Sequence, residues 1–127
     1  MFFYGSLMDT DILTRIARLS TPPTMLPGTI TNFRMRMWGP FPTLIASPSG
    51  KVTGTYWKCE DEAQFLRLKE YETDAYSWCF CDVVTEDGVV LKGCRTFCWS
   101  GYPEDGDLED GRFDLGVYQK NIKGMYV

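Results

Sequence analysis

Glu72 has a residue type that conflicts with its position. Phe65 and Leu68, three residues apart, mark the apolar stripe of a helix predicted over residues 61–72. Glu72 lies four beyond Leu68 and falls on the same face at about 3.6 residues per turn. A carboxylate on a core-facing stripe is costly unless it is paired or holds its proton. The helix's last turn, where carbonyl ends carry partial negative charge, disfavours ionisation as well. Both effects raise the pKa toward a value suited to a base working near neutrality. The structural alternative is an ordinary pairing of Glu72 with Arg34, Arg36 or Lys69. Tyr76, at the start of the next strand, can hydrogen-bond the carboxylate or simply pack.

The second chemical feature is Phe2-Phe3-Tyr4-Gly5-Ser6-Leu7. A short aromatic run reads as a buried strand, Gly5-Ser6 as a turn, and Met8-Asp9-Thr10-Asp11 as the opening of a helix. Such a turn leaves backbone N–H groups facing whatever lies in front of it. Glycine permits close approach there, and N–H groups near a helix start favour an anion. The loop is thus expected to hold a small carboxylate-bearing substrate.

The sequence contains no histidine. That removes His-based acid/base chemistry, Cys–His and Ser–His nucleophile pairs, and His-containing metal sites. Any proton transfer falls to a carboxylate, Tyr, Lys or Cys. The net charge of −4 argues against a nucleic-acid-binding surface. No apolar run spans a bilayer and no signal-peptide pattern appears, so a cytoplasmic location is expected. Cys59, Cys79, Cys81, Cys94 and Cys98 are odd in number and lack a leader, which speaks against a disulfide framework. Cys79 and Cys81 share one strand face, as do Cys94 and Cys98. A thiolate metal cluster there fits poorly with the usual knuckle spacing, and apolar packing is the simpler reading.

These residues must be positioned by a chain of 127 residues, enough for one domain spanning 1–127 with one core. A helix capped by Asp9 or Thr10 is expected to reach about residue 19, turning Ile12, Leu13, Ile16 and Ala17 inward, and Pro22-Pro23 cannot continue it. Residues 27–38 favour strand, 39–42 a turn or rigid extended loop, 43–46 a short apolar piece, and 47–50 a second turn. Residues 51–59 read as another strand, with Gly54 as a bulge or close-approach point. After the helix at 61–72 come strands at 76–85 and 89–99, joined by a hairpin at Glu86-Asp87-Gly88. Residues 103–110 read as a solvated connector, and 113–125 as a last helix weakened by Gly116 and Gly124. The four tryptophans suit core or cavity wall, and Tyr118 can face the cavity, with ordinary packing the favoured reading. Strands outnumber helices without regular alternation, which indicates α+β and not a doubly wound sheet.

Phe3-Tyr4-Gly5-Ser6-Leu7, then Leu68-Lys69-Glu70-Tyr71-Glu72 with Tyr76, together resemble the γ-glutamylcyclotransferase-like family. The branch of γ-glutamylamine cyclotransferases and avirulence-induced plant proteins looks most similar. Arg34 followed by Gly39-Pro40-Phe41-Pro42-Thr43-Leu44 resembles that family's proline-containing segment. The resemblance implies a small mixed β-barrel flanked by helices, with the cavity at one end. It further implies that Tyr4, Gly5, Ser6 and Leu7 hold the substrate's α-carboxylate and that Glu72 is the acid/base. The chain departs from the family's Leu-Asp-x-x-Glu-Gly pattern with Lys69 in place of Asp and Thr73 in place of Gly.

The implied reaction is intramolecular aminolysis of a γ-glutamyl amide, giving 5-oxoproline and a free amine with no cofactor and no metal. The expected partner is a small γ-glutamyl molecule, without nucleic acid or membrane, bound by a monomer or homodimer. A non-catalytic module that binds small acids on the same scaffold is the alternative from a different class.

Overall fold

Phe2 and Phe3 form strand β1 and bury in opposite directions. Successive strand residues point to opposite faces, and here both faces are covered. Phe2 packs with Tyr4, Ile30, Leu44, Val52 and Val83, whereas Phe3 packs with Ile12, Leu13, Phe65 and Leu68 from the helices. In the computed structural model, which describes residues 1–126, a 3₁₀ turn Ser6–Met8 and helix α1 (Thr10–Ala17) follow. Then come β2 (Leu26–Trp38), β3 (Phe41–Tyr56), α2 (Glu62–Glu72), β4 (Tyr76–Thr85), β5 (Val90–Trp99), α3 (Leu115–Asn121) and α4 (Lys123–Tyr126).

The strands form one sheet in the order β1-β3-β2-β4-β5. Its edges approach each other. Tyr4 Oη donates to the carbonyl of Phe97 at 2.6 Å, and Thr96 Oγ1 donates to that of Phe2 at 3.0 Å. This brings the chain at β1 beside β5 and closes one core inside the curled sheet, while the helices cover a second core outside it. The α+β class and the flanking helices agree with the sequence reading. The implied mixed pairing is corrected: every strand pair among the described residues is antiparallel. Short hairpin connections join β2 to β3 and β4 to β5, and such links permit only antiparallel neighbours.

The expected turn at 47–50 is also corrected. The β2–β3 register passes from Thr31↔Lys51 to Phe33↔Ala46, and Asn32 between them has φ 70°. Residues 47–50 therefore bulge out of one long strand, and an irregularity of this kind bends the strand and increases its twist. Gly54 is a close-approach point: a Cβ there would collide with the carbonyl of Phe3, so glycine lets β1 pair against β3. Helix α1 ends at Ala17, two residues short of the expected end, because Arg18 caps it in the left-handed region at φ 56°. The last helix breaks at Ile122, leaving α3 and α4.

The cysteine reading changes too. Cys79 and Cys98 are joined by a disulfide, with Cα atoms 6.6 Å apart. The register Ser77↔Cys98 and Cys79↔Thr96 makes them diagonal neighbours on one hairpin face, which spacing along a single strand could not reveal. The chain 103–110 is a strap and not a free connector. Glu109 pairs with the backbone of Met37, Arg36 donates to the carbonyls of Pro103 and Leu108, and Leu108 is buried. Among the described residues, no helix is long and apolar enough to cross a membrane.

Candidate active site

Helix α2 begins with a strong cap. Asp61 accepts a hydrogen bond from the N–H of Gln64 at 2.8 Å, and Gln64 accepts one from the N–H of Glu60 at 2.9 Å. Phe65 and Leu68 are buried on its inner face, stacking and packing with Phe97, Trp57 and Leu13. Helical phase then carries Glu72 to the same side, where it lines a cavity of about 410 Å³. Tyr4, Gly5, Ser6 and Leu7 line that cavity from the N-terminal loop, and Tyr76 from the start of β4. The six residues singled out in the sequence thus border one hollow.

Among the described residues the Glu72 side chain makes no hydrogen bond or ion pair. Arg34 and Arg36 are engaged with Asp110 at 3.5 and 3.2 Å, and Lys69 is exposed on the outer side of the helix. The structural pairing alternative is thereby corrected: each of the two arginines has another partner. Desolvation alone pushes the Glu72 carboxyl up to about 7. A carboxyl that changes charge there can accept and return a proton at neutral pH.

The tyrosines around it are committed to protein partners. Tyr4 is buried and donates to Phe97 as described; burial first, and the Glu72 charge second, push its phenol well above the ordinary range. Tyr76 Oη donates to the carbonyl of Pro42 at 2.8 Å, and burial likewise raises its pKa. Tyr76 therefore packs beside Glu72 instead of hydrogen-bonding it. The hydroxyls of Tyr71 and Ser6 lie 2.8 Å apart, joining α2's last turn to the loop.

Gly5 has a local reason. A Cβ at this position would sit 2.9 Å from Pro42 Cγ, so glycine allows the loop to pack against the start of β3. The N–H groups of Gly5, Ser6 and Leu7 bond no acceptor among the described residues, whereas Met8 and Asp9 N–H groups close the 3₁₀ turn. The buried Asp9 holds the loop's far end. It accepts from Ile12 N–H at 3.0 Å, Gln119 Nε2 at 2.7 Å and Lys123 Nζ at 2.9 Å. Sequence reasoning saw Asp9 only as a cap, because nothing local shows that α3 and α4 return to it.

Residues missed as cavity wall are Tyr71, Phe97, Phe41 and Pro42; Tyr118, read as ordinary packing, also lines it. Thr73, at the α2 exit, has φ 65° and ψ −179°, a backbone region that glycine alone adopts readily.

A family model described as gamma-glutamyl cyclotransferase, AIG2-like, matches residues 1–119. AIG2-like protein C of Arabidopsis thaliana is 26% identical over 129 residues, covering 100% of this chain and 73% of that protein. A solution structure of an Arabidopsis thaliana protein superimposes with a TM-score of 0.72 at 23% identity, over 94% of this chain and 78% of that one. A gamma-glutamyl cyclotransferase structure superimposes with a TM-score of 0.62 at 19% identity, over 80% of this chain and 66% of that one. At these identities the structural likenesses establish a shared fold.

Proposed function

This chain belongs to the gamma-glutamyl cyclotransferase, AIG2-like family, and from that premise we propose that it converts a γ-glutamyl amide to 5-oxoproline and a free amine. The observation that carries the reading is a single unpaired carboxyl, Glu72, desolvated to a pKa of about 7 in the same cavity as the loop 4–7.

In this reading the loop N–H groups of Gly5, Ser6 and Leu7 receive the substrate's α-carboxylate, which folds the γ-glutamyl chain back on itself. The α-ammonium, with an ordinary pKa near 8, gives up a proton before it can attack. Glu72 takes that proton. The amine nitrogen then bonds to the γ-carbonyl carbon, closing a five-membered lactam. The amide C–N bond breaks, Glu72 returns its proton to the departing nitrogen, and the ring nitrogen gives up a second proton, which leaves with the amine as its ammonium. No water is consumed and no electrons are transferred. Proton transfer of this kind is worth roughly 10²- to 10⁴-fold, and holding amine and carbonyl together supplies much of the remainder.

The test is direct. Purified protein is incubated with γ-glutamyl-amino acids, γ-glutamylamines and glutathione, and 5-oxoproline is measured. Release that disappears in Glu72→Gln supports the assignment; release that persists undiminished removes Glu72 as the base. The strained exit at Thr73 favours one competing reading, a module that binds small acids without turning them over. It predicts ligand-induced thermal stabilisation with no 5-oxoproline from any member of the panel.

A further inference from the structure

The cavity lining combines a few polar groups with many aromatic rings. Its polar groups gather at Glu72, Thr73 and the loop from Gly5 to Leu7. Trp38, Phe41, Pro42 and Tyr76 continue the lining as a ring-bearing wall, with Pro42 against Gly5 and Tyr76 beside Glu72. These rings brace one another: Trp38 lies 6.3 Å from Phe41 and 6.4 Å from Tyr76, centroid to centroid, and Trp99 backs the group at 5.2 Å from Trp38. Tyr76 spends its hydroxyl on the Pro42 carbonyl, so what remains for a ligand on this wall is ring surface. Trp38 is 37% exposed and marks the cavity's open side.

No Lys or Arg lines the cavity among the described residues, and Glu72 is its one charged side chain. The nearest arginines in sequence to this wall, Arg34 and Arg36, are held by Asp110 and the strap. A substrate whose γ-glutamyl portion occupies the loop and Glu72 leaves its departing amine to meet rings, because, Thr73 apart, every other lining residue is aromatic or proline. A second carboxylate there would find no cation in the lining and would share the cavity with Glu72, which is costly. A ring would instead bury apolar surface and make edge or stacked contacts.

We propose that this site is specific for γ-glutamyl amides of aromatic amines that carry no carboxylate of their own. The inference rests on the cyclotransferase reading above and adds the identity of the leaving group. It also defines Trp38 as the main specificity-determining residue, since it closes the aromatic wall at the open side.

Three amides separate the contributions. γ-Glutamylphenethylamide and γ-glutamylphenylalanine differ by one carboxylate, and γ-glutamylethylamide lacks the ring. The expected result is that kcat/KM for the phenethylamide exceeds both others by about tenfold or more, chiefly through KM, and that Trp38→Ala narrows its advantage over the ethylamide. Equal or better turnover of γ-glutamylphenylalanine overturns this inference while leaving 5-oxoproline formation, and hence the cyclotransferase reading, intact. If none of the three is turned over, that reading fails, and calorimetric binding to the wild-type protein decides the inference separately. Tighter binding of the phenethylamide than of γ-glutamylphenylalanine sustains it; equal affinity, or no binding of either, overturns it.

Discussion

The hydroxyl groups of Ser6 and Tyr71 lie 2.8 Å apart, and this contact ties the N-terminal loop to the turn of α2 that carries Glu72. Two segments 65 residues apart in the chain are thereby held at a set distance across the cavity. The loop's other end is held by Asp9, so both of its flanks are fixed to helices.

Removing either hydroxyl is expected to cost about 1 kcal/mol of stability, the usual net worth of one such hydrogen bond. Ser6→Ala and Tyr71→Phe in a double-mutant cycle, read by urea denaturation, are expected to show a coupling of similar size. Additive losses would mean that the two hydroxyls do not bond in solution.

Glu72→Gln is expected to lower kcat by roughly 10²- to 10⁴-fold with a smaller change in KM. In the wild type, the base is competent only when ionised, so kcat/KM is expected to rise with pH through about 7. A profile whose acidic limb sits near the ordinary carboxylate value of 4.5 would contradict a desolvated base.

The same carboxyl makes a stability prediction with a definite sign. Its folded pKa of about 7 lies above the usual 4.5, so the folded state binds the proton more tightly. Stability contributed by the protonated form is complete below 4.5 and is lost as pH rises through about 7. Glu72→Gln keeps a neutral side chain throughout. It is therefore expected to be more stable than wild type at pH 8, by on the order of 3 kcal/mol at most, and to match it below about pH 4.5. Denaturation curves at both pH values measure this.

Thr73 offers a stabilising substitution. Its φ of 65° with ψ −179° strains a β-branched residue by roughly 1–3 kcal/mol, of which glycine's greater unfolded-state entropy offsets up to about 1. Thr73→Gly is expected to raise stability by about 1 kcal/mol, at the loss of a weak 3.4 Å contact between Thr73 Oγ1 and the N–H of Ala75. An unchanged or lower urea midpoint would show that the α2 exit is relaxed as it stands.

Asp9 is expected to be the most acid-sensitive element of the loop's support. Burial alone would raise its carboxyl, but donors from Gln119, Lys123 and Ile12 outweigh that and hold it below 3.8. Its contribution is present above 3.8 and is lost as pH falls through the lower folded value. Asp9→Ala removes a cap and a charge-assisted bond together and is expected to cost about 2 kcal/mol near neutrality. Loss of protection from proteolysis in 115–123 alongside the stability change would show that the C-terminal helices detach with it.

The sequence alone determined those features that depend on neighbours in the chain. The α2 boundary, the β4–β5 hairpin at Gly88 and the inward phase of Glu72 all follow from local spacing and turn chemistry. The tertiary structure decided whatever depends on residues far apart. Asn32 opposite 47–50 turned an expected turn into a bulge, because strand register is a property of two segments and not of one. Cys79 and Cys98 met for the same reason. Glu72 could be read as facing inward, yet its lack of a partner required knowing that Asp110 holds Arg34 and Arg36. The aromatic wall is assembled from the β2–β3 turn and β4, where sequence spacing gives no hint of adjacency. Helical phase dictates where a side chain points; only the packed chain dictates what it meets.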